Sequence, residues 1–264
     1  MEGIRGVGAW AMSFPAELRD RLRTRYIGRF LHTFERVSST QDVARHLAIK
    51  GAPEGTVVVA EAQTAGRGRL GRTWISPPGG LYLSVVLRPL VSPPEVPKLS
   101  LVGGLSAARA IERVCRVAVG LRWPNDLVVN GRKVGGVLAE AGPDAWWVIL
   151  GIGLNVHAVP GLPEGATSLA AELGTPVDLG DLFCAVCAEL EIVYEAFRGD
   201  DFATVLRWWR ERSTTLGRWV RVYLPSGTYE GIAETVDEDG TLILRLPDGS
   251  AKRIVAGELA PGGD

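Results

Sequence analysis

Short apolar runs bounded by glycine, proline and asparagine dominate the middle of the chain. TVVVAEAQ (56–63), LYLSVVLR (81–88), VGLRW (119–123) and WWVILGIGLNV (146–156) are rich in β-branched and aromatic residues and read as half-buried or fully buried strands. LVVNGRKVGGVLAE (127–140) reads as two strands joined at Asn130-Gly131, a pair that tolerates the positive φ of a tight hairpin. Apolar residues recur at helical spacing in 98–114, 181–197 and 202–212, which predicts three helices. Helices and strands do not alternate one for one, so a doubly wound parallel sheet is disfavoured. The expected class is α+β: a mixed or antiparallel sheet with helices on one side.

After Leu216 the pattern changes. Residues 219–259 hold four or five short alternating strands punctuated by PSG, DEDG and PDG turns, the pattern of a small β-barrel. So small a barrel has little core of its own and is expected to pack against the larger domain. Residues 1–27 read as an N-terminal extension, Gly-rich and then arginine-rich (Arg19, Arg21, Arg23, Arg25), with a solvated helix face preferred over a nucleic-acid-binding arm. The division is therefore 1–27, a catalytic domain over 28–214, and a barrel domain over 215–264. The stretch before residue 28 is too short for a helix-turn-helix domain with its own core, so DNA binding is not expected. Whether Met1 or Met12 is the natural start stays open.

Composition narrows the function. Apolar residues make up 46% and charged residues 22% of the 264 positions, an ordinary globular mixture. A formal net charge of −1 is too little for a protein whose main task is to grip phosphate backbones. Three cysteines cannot staple a secreted scaffold, which places the chain in a reducing, cytoplasmic setting. No signal pattern opens it and no 18-residue apolar run interrupts it, so no membrane role is expected. The 33 glycines follow no collagen-like period and must serve turns and close backbone approaches.

Three segments carry chemistry. EAQTAGRGRLGRTW (61–74) interleaves Arg67, Arg69 and Arg72 with Gly66, Gly68 and Gly71: fixed cations with forked donors on a backbone free to approach a ligand. Such a loop suits phosphate or carboxylate, although composition alone equally describes a flexible basic surface loop. It is neither a Walker loop nor a dinucleotide fingerprint. RWPNDLVVNGRKVGGVLAE (122–140) ends one strand at Pro124 and aims Asn125 and Asp126 outward, with Lys133 just after the hairpin turn and Gly135-Gly136 leaving a strand open to a ligand. A turn with routine polar residues is the plainer account. GIGLNV (151–156) is a strand thinned by Gly151 and Gly153, with Asn155 at its mouth.

Together these segments resemble biotin protein ligases. GRGRLGRTW is similar to the family's GRGRxGRxW loop, RWPND with K-V-G-G-V-L-A-E to its KWPND segment and K-x-x-G-x-L-x-E, and GIGLNV to its GxGxN strand. VSSTQDVA (37–44) resembles the family's biotin-side entry, and the order is kept from about residue 30 to 157. The resemblance implies a class II synthetase-like catalytic fold with an SH3-like C-terminal barrel. It implies ATP and biotin as substrates with Mg²⁺, and biotinyl-5′-AMP as intermediate. The acceptor it implies is a lysine of a biotin carboxyl carrier protein or domain; a homodimer through sheet edges is a further suggestion. It assigns biotin to Ser39, Thr40, Gln41, Gln63, Gly66, Arg67, Gly68, Arg69, Lys133, Gly136 and Gly151, and ATP to Arg69, Arg72, Trp74, Asn125 and Asn155. Arg122, Lys133, Arg67 and Asp126 are the catalytic candidates; no metal ligand is assigned. Arg122 stands where the family usually has Lys, and Gln41 where Asn is common.

Local alternatives accompany several of these. Ser39 and Thr40 equally suit a helix N-cap, and one hydroxyl can cap while the other binds. Gln63 can be a solvent-facing strand residue and Trp74 a plain core tryptophan. Cys184 and Cys187 have CxxC spacing on an apolar helix without a second pair, which favours packing over zinc or redox chemistry. Trp208 and Trp209 are expected to brace a helix. The rival functions are lipoate–protein ligase, which shares the chemistry, and a non-catalytic RNA- or protein-binding module.

Overall fold

Alternation along three strands decides the architecture. The computed structural model describes residues 18–157, 161–199 and 201–261. The opening residues, including Met12, lie outside them. In chain order the elements are α1 (Leu18–Arg21), β1 (Leu31–Val37), α2 (Thr40–Ile49), β2 (Val57–Gln63), β3 (Leu81–Leu87) and α3 (Lys98–Cys115). Then come β4 (Gly120–Arg122), β5 (Asp126–Val129), β6 (Arg132–Ala141) and β7 (Val148–Leu154), followed by α4 (Leu169–Leu173), α5 (Leu179–Arg198) and α6 (Phe202–Glu211). The barrel strands are β8 (Trp219–Leu224), β9 (Gly227–Val236), β10 (Leu242–Arg245), β11 (Ala251–Ile254) and β12 (Glu258–Pro261).

The first sheet runs β1-β2-β3-β7-β6-β5-β4. Only β1 and β2 are parallel, joined through α2; every other neighbouring pair is antiparallel. Leu81, Leu83, Val85 and Leu87 of β3 and Val148, Leu150, Ile152 and Leu154 of β7 enter the main core shared with α3, α5 and α6. The intervening residues face the other way. Val58, Val86 and Ile149 meet Ala44 and Ala48 of α2 in a separate apolar cluster. The three long helices thus occupy one face, as expected, while α2 lies on the opposite one, because a parallel β1–β2 connection must cross a face of the sheet. Beyond α2 that second face stops being apolar. It presents Ser84, Gly151, Gly153 and Gly136, and this change from Val and Ile to Gly and Ser leaves room for a cavity.

The Asn130-Gly131 turn has positive φ at both residues (50° and 77°), as the hairpin reading requires. Residues 18–27, by contrast, are not peripheral. Leu18, Leu22 and Ile27 are core residues, and Glu191 of α5 accepts the backbone N–H groups of Arg25, Tyr26 and Ile27. Arg21 pairs with Asp181, and Arg25 with Glu195. The arginines that read as a solvated face are therefore partly spent on acidic residues of α5.

The second sheet runs β11-β10-β9-β8-β12 and is wholly antiparallel. Its Val220, Val222, Val236, Leu242 and Leu244 belong to the same apolar cluster as the larger domain, which supplies the core the barrel lacks. Trp123 pins the junction: its backbone N–H donates to Thr215 Oγ1 (2.9 Å) and its indole Nε1 to the carbonyl of Gly240 (3.1 Å). Trp209 is buried and braces α6, and an Arg109 guanidinium lies 5.0 Å from the Trp208 ring centroid.

Candidate active site

A cavity of about 430 Å³ opens on the second face of the large sheet. Its floor is the β3–β7–β6 ladder, and its walls are the N-terminus of α2, the arginine loop, the turn at 122–126, the 162–166 segment and residues 257–259 of the barrel. Every residue assigned from the sequence lines it except Gly66. Gly66 is packed from beneath: a Cβ there would collide with the Trp74 carbonyl and Ser76 Oγ, so its service is to let the loop close.

One end of the cavity is neutral and internally bonded. Thr40 donates from its backbone N–H to Gln63 Oε1 (2.8 Å), and its hydroxyl lies 2.9 Å from Ser84 Oγ. Ser84 Oγ donates to Gln41 Oε1 (3.0 Å), and Gln41 Nε2 to the carbonyl of Ile149 (3.1 Å). Gln63 Nε2 continues the chain to Ser76 Oγ, which donates to the carbonyl of Trp74. Gln63 is therefore no solvent-facing strand residue. The Gln41 amide fills the space Gly151 leaves; a Cβ at 151 would lie 2.6 Å from its Oε1. Ser39 occupies the N-cap position of α2 but makes no capping bond; its hydroxyl is fully buried, lines the cavity and has no partner among the described residues. A buried hydroxyl left unpaired carries a desolvation cost that a polar ligand would relieve.

Trp74 lies over the cross-strand pair Gly136–Gly153, where a Cβ would come within 3.1 and 2.6 Å of the indole. The two glycines make a flat bed for the ring, and the buried indole Nε1 has no acceptor. Lys133 Nζ sits 5.3 Å from the ring centroid and 2.6 Å from Asp126 Oδ1, so ammonium, carboxylate and indole form one stacked group.

The other end is cationic. Arg69 donates to Asn125 Oδ1 (3.0 Å) and approaches the carbonyl of Gly257 (3.5 Å). Among the described residues it has no carboxylate within ion-pair distance, and burial draws its pKa below the ordinary guanidinium value without discharging it. Arg122 donates to the carbonyl of Gly131 (3.2 Å). Arg72 is exposed and pairs with Glu258 of β12. Arg67 borders the cavity, but its guanidinium is taken up by Asp42 (2.7 Å) and Glu140 (2.6 Å). Asn125, read as pointing outward, is tied back to β6: its Nδ2 donates to the carbonyl of Val137 (3.0 Å). Asn155 is buried and donates to the carbonyl of Thr167, leaving its Oδ1 unpartnered.

Sequence reasoning missed Ser84, the 162–166 wall and the barrel residues Gly257, Glu258 and Leu259. Ser84 had a signal, as the small polar residue in the otherwise apolar and aromatic run LYLSVVL. The other two are brought in by tertiary contacts, the wall through the Lys133–Ala166 bridge and the barrel through Glu258. Cys184 and Cys187 are unpaired, and burial raises both thiols; among the described residues no metal-binding cluster exists.

Comparison with known proteins places this architecture. The model of the biotin/lipoate A/B protein ligase family matches residues 33–155, and that of the biotin protein ligase C-terminal domain matches 215–259. The bifunctional ligase/repressor BirA of Bacillus subtilis is 33% identical over 256 residues, covering 94% of this chain and 78% of the relative. The biotin–[acetyl-CoA-carboxylase] ligase of Paracoccus denitrificans is 34% identical over 242 residues, 86% of this chain and 99% of the relative. The biotin protein ligase of Aquifex aeolicus, solved in complex with biotin and ATP, superposes with a TM-score of 0.76 at 33% identity, over 87% of this chain and 97% of that one. With a family model matched in each of the two domains and near-complete relatives at this identity, the chain belongs to the biotin protein ligase family.

Proposed function

We propose that this protein activates biotin with ATP and transfers it to a lysine of a carboxyl carrier protein or domain. The observation that carries the reading is the junction of two unlike ends in one cavity: a neutral array of hydroxyls and amides beside a cluster of guanidinium groups. Biotin's ureido group is neutral and offers both donors and acceptors, which matches Ser39, Thr40, Gln41 and Gln63, with Ser84 holding two of them in place. Its carboxylate would then point toward the cationic end, where ATP is bound.

In the first step a carboxylate oxygen attacks the α-phosphorus, the bond to the bridging oxygen breaks, and pyrophosphate leaves. Two anions must meet, and negative charge grows on the phosphoryl oxygens. Among the described residues neither Arg69 nor Arg122 has a carboxylate within ion-pair distance, so they are the groups we assign to that charge. Magnesium enters with the substrate as MgATP, in keeping with its preference for phosphate oxygens and water over all-protein cages. Trp74, Asn125 and Asn155 border the nucleotide, and Arg72 closes the loop toward the barrel. In the second step a neutral lysine amine attacks the acyl carbon, AMP leaves, and the amine's proton must be accepted nearby. Asp126, already holding the Lys133 ammonium, is the carboxylate placed to take or orient it.

We further place residues 28–214 in a ligase domain and 215–264 in a barrel domain, with 18–27 packed on the former. The edge strand β1 would serve a homodimer, because β4, the other edge, is bridged by Ser213. A cytoplasmic setting accords with three free cysteines, and no helix among the described residues is long and apolar enough to cross a membrane. The match of the barrel to a biotin ligase domain speaks against lipoate as substrate and against a module without catalysis. Mass spectrometry of a carboxyl carrier domain incubated with this protein, biotin and MgATP is the test. One biotinyl group on one lysine is expected; modification with lipoate alone, or none, would overturn the reading.

A further inference from the structure

The three arginines of the loop do not share one task. Arg67 Nη1 lies 2.7 Å from Asp42 Oδ1 on α2, and its Nη2 lies 2.6 Å from Glu140 Oε1 on β6. The second oxygen of Glu140 takes Arg45 Nη2 at 3.0 Å, one turn along α2 from Asp42. Two cations and two carboxylates thus close on themselves at the cavity rim, leaving Arg67 little charge to lend to a phosphate. Glu140 is the hub of this group. It sits on the cavity face of β6 in line with Leu138 and Gly136, opposite Ile149 in the ladder, where α2 ends its cover of the sheet. Its partner Arg67 follows Gly66, whose lack of a side chain lets the loop seat on Trp74 and Ser76. At the far side the same loop is held by the exposed Arg72–Glu258 pair.

We propose that Glu140 is a positioning residue which, through Arg67, pins the base of the 64–73 loop over the cavity and so governs how long the activated acyl group stays sheltered. The proposal rests on the ligase reading above. A mixed anhydride is open to water, and a loop that closes over it excludes water and delays its escape. A tether made of two charge-assisted hydrogen bonds at a partly exposed rim is strong enough to bias such a loop and weak enough to let it open.

The test uses the full chain loaded with labelled biotinyl-AMP from biotin and MgATP, freed of excess reagents, with escape timed by filtration. Glu140→Gln is expected to speed escape about tenfold, the scale of losing one charged partner from a two-carboxylate grip, while the adenylation kcat and the melting temperature change little. Arg67→Gln, which also gives up Asp42, should speed escape at least as much, and the double variant no more than Arg67→Gln alone, because Glu140 acts through Arg67. Arg45→Gln leaves the Arg67 contacts in place and should not speed escape. Escape from Glu140→Gln at the wild-type rate, effects that multiply in the double variant, or equal acceleration by Arg45→Gln would overturn the proposal. Absence of any biotinyl-AMP on the wild-type protein would instead overturn the ligase reading itself.

Discussion

The neutral and the cationic ends of the cavity are built to different degrees of completion. At the neutral end Thr40, Gln41, Gln63, Ser76 and Ser84 satisfy one another from two strands, a helix and a loop, and among the described residues there only the Ser39 hydroxyl is left unpaired. That end is finished before any ligand arrives. At the cationic end the loop is fastened by partly exposed ion pairs to α2, β6 and β12, and Arg69 is hydrogen-bonded to neutral groups. A neutral ligand is thus met by a rigid template, whereas an anionic one must complete its own site. The difference follows from charge: buried amides can satisfy each other, but guanidinium groups cannot, and their natural partner is the substrate.

The largest expected effect breaks the cationic end. Arg69→Ala removes a partly buried guanidinium that, among the described residues, makes no direct ion pair, and pyrophosphate release from biotin and MgATP should fall by about 10²- to 10³-fold, the scale of one preorganised donor. Arg122→Ala should cost about 100-fold on the same reasoning. Neither should alter the affinity for biotin alone. An Arg122→Ala protein that adenylates at the wild-type rate would remove that residue from the chemistry.

A sharper comparison uses two glycines on one strand. A Cβ at Gly153 would press on the Trp74 indole, and one at Gly151 on the Gln41 amide, each at 2.6 Å. Overpacking of this kind costs about 1–3 kcal/mol, or roughly tenfold in an equilibrium. Gly153→Ala should therefore raise KM for MgATP with biotin affinity nearly kept, and Gly151→Ala should do the reverse. Equal effects of both variants on both substrates would show that the two ends are not separately built.

How much of this was readable beforehand varies with range in the chain. The hairpin at Asn130-Gly131, the long helices and the barrel strands follow from local pattern and turn chemistry, and the structure has them. Strand β1 was missed because LHTFERV lacks clean alternation: it is an edge strand whose apolar residues fall every third position. The side of the sheet taken by α2 was equally hidden, since no local signal distinguishes the two faces of a βαβ unit. The site motifs gave the residues but not their grouping. That Arg67 pairs with Glu140 depends on a residue 73 positions away, and spacing within a loop carries no such information. Ser84 is the instructive miss, for a buried serine in an apolar strand costs enough to need a reason.

The neutral end can be broken mildly through that same serine. Ser84→Ala leaves Gln41 Oε1 without its donor and costs about 1–2 kcal/mol, a drop of a few degrees in melting temperature for a chain of this length. Biotin affinity should weaken several-fold as the Gln41 amide loosens, with kcat for adenylation kept. A variant that melts lower but binds biotin as tightly as wild type would show the network to be structural only.

The smallest effect needs no substitution and separates the two ends by solvent alone. At about 0.1 M salt charges are screened beyond roughly 10 Å, and at 1 M beyond roughly 3 Å, so exposed pairs such as Arg72–Glu258 and Arg67–Asp42 weaken as salt rises. Hydrogen bonds among buried hydroxyls and amides have no such dependence. Raising sodium chloride from about 0.05 to 0.5 M should therefore leave the calorimetric affinity for biotin alone within about twofold, while KM for MgATP rises several-fold. Part of that rise comes from screening of the nucleotide itself. The loop's share is isolated by Glu258→Gln, which removes one ion pair in advance: its KM should start higher and respond to salt less steeply than the wild-type value. Parallel salt curves for the two proteins would mean that Arg72 is not held by Glu258 in solution.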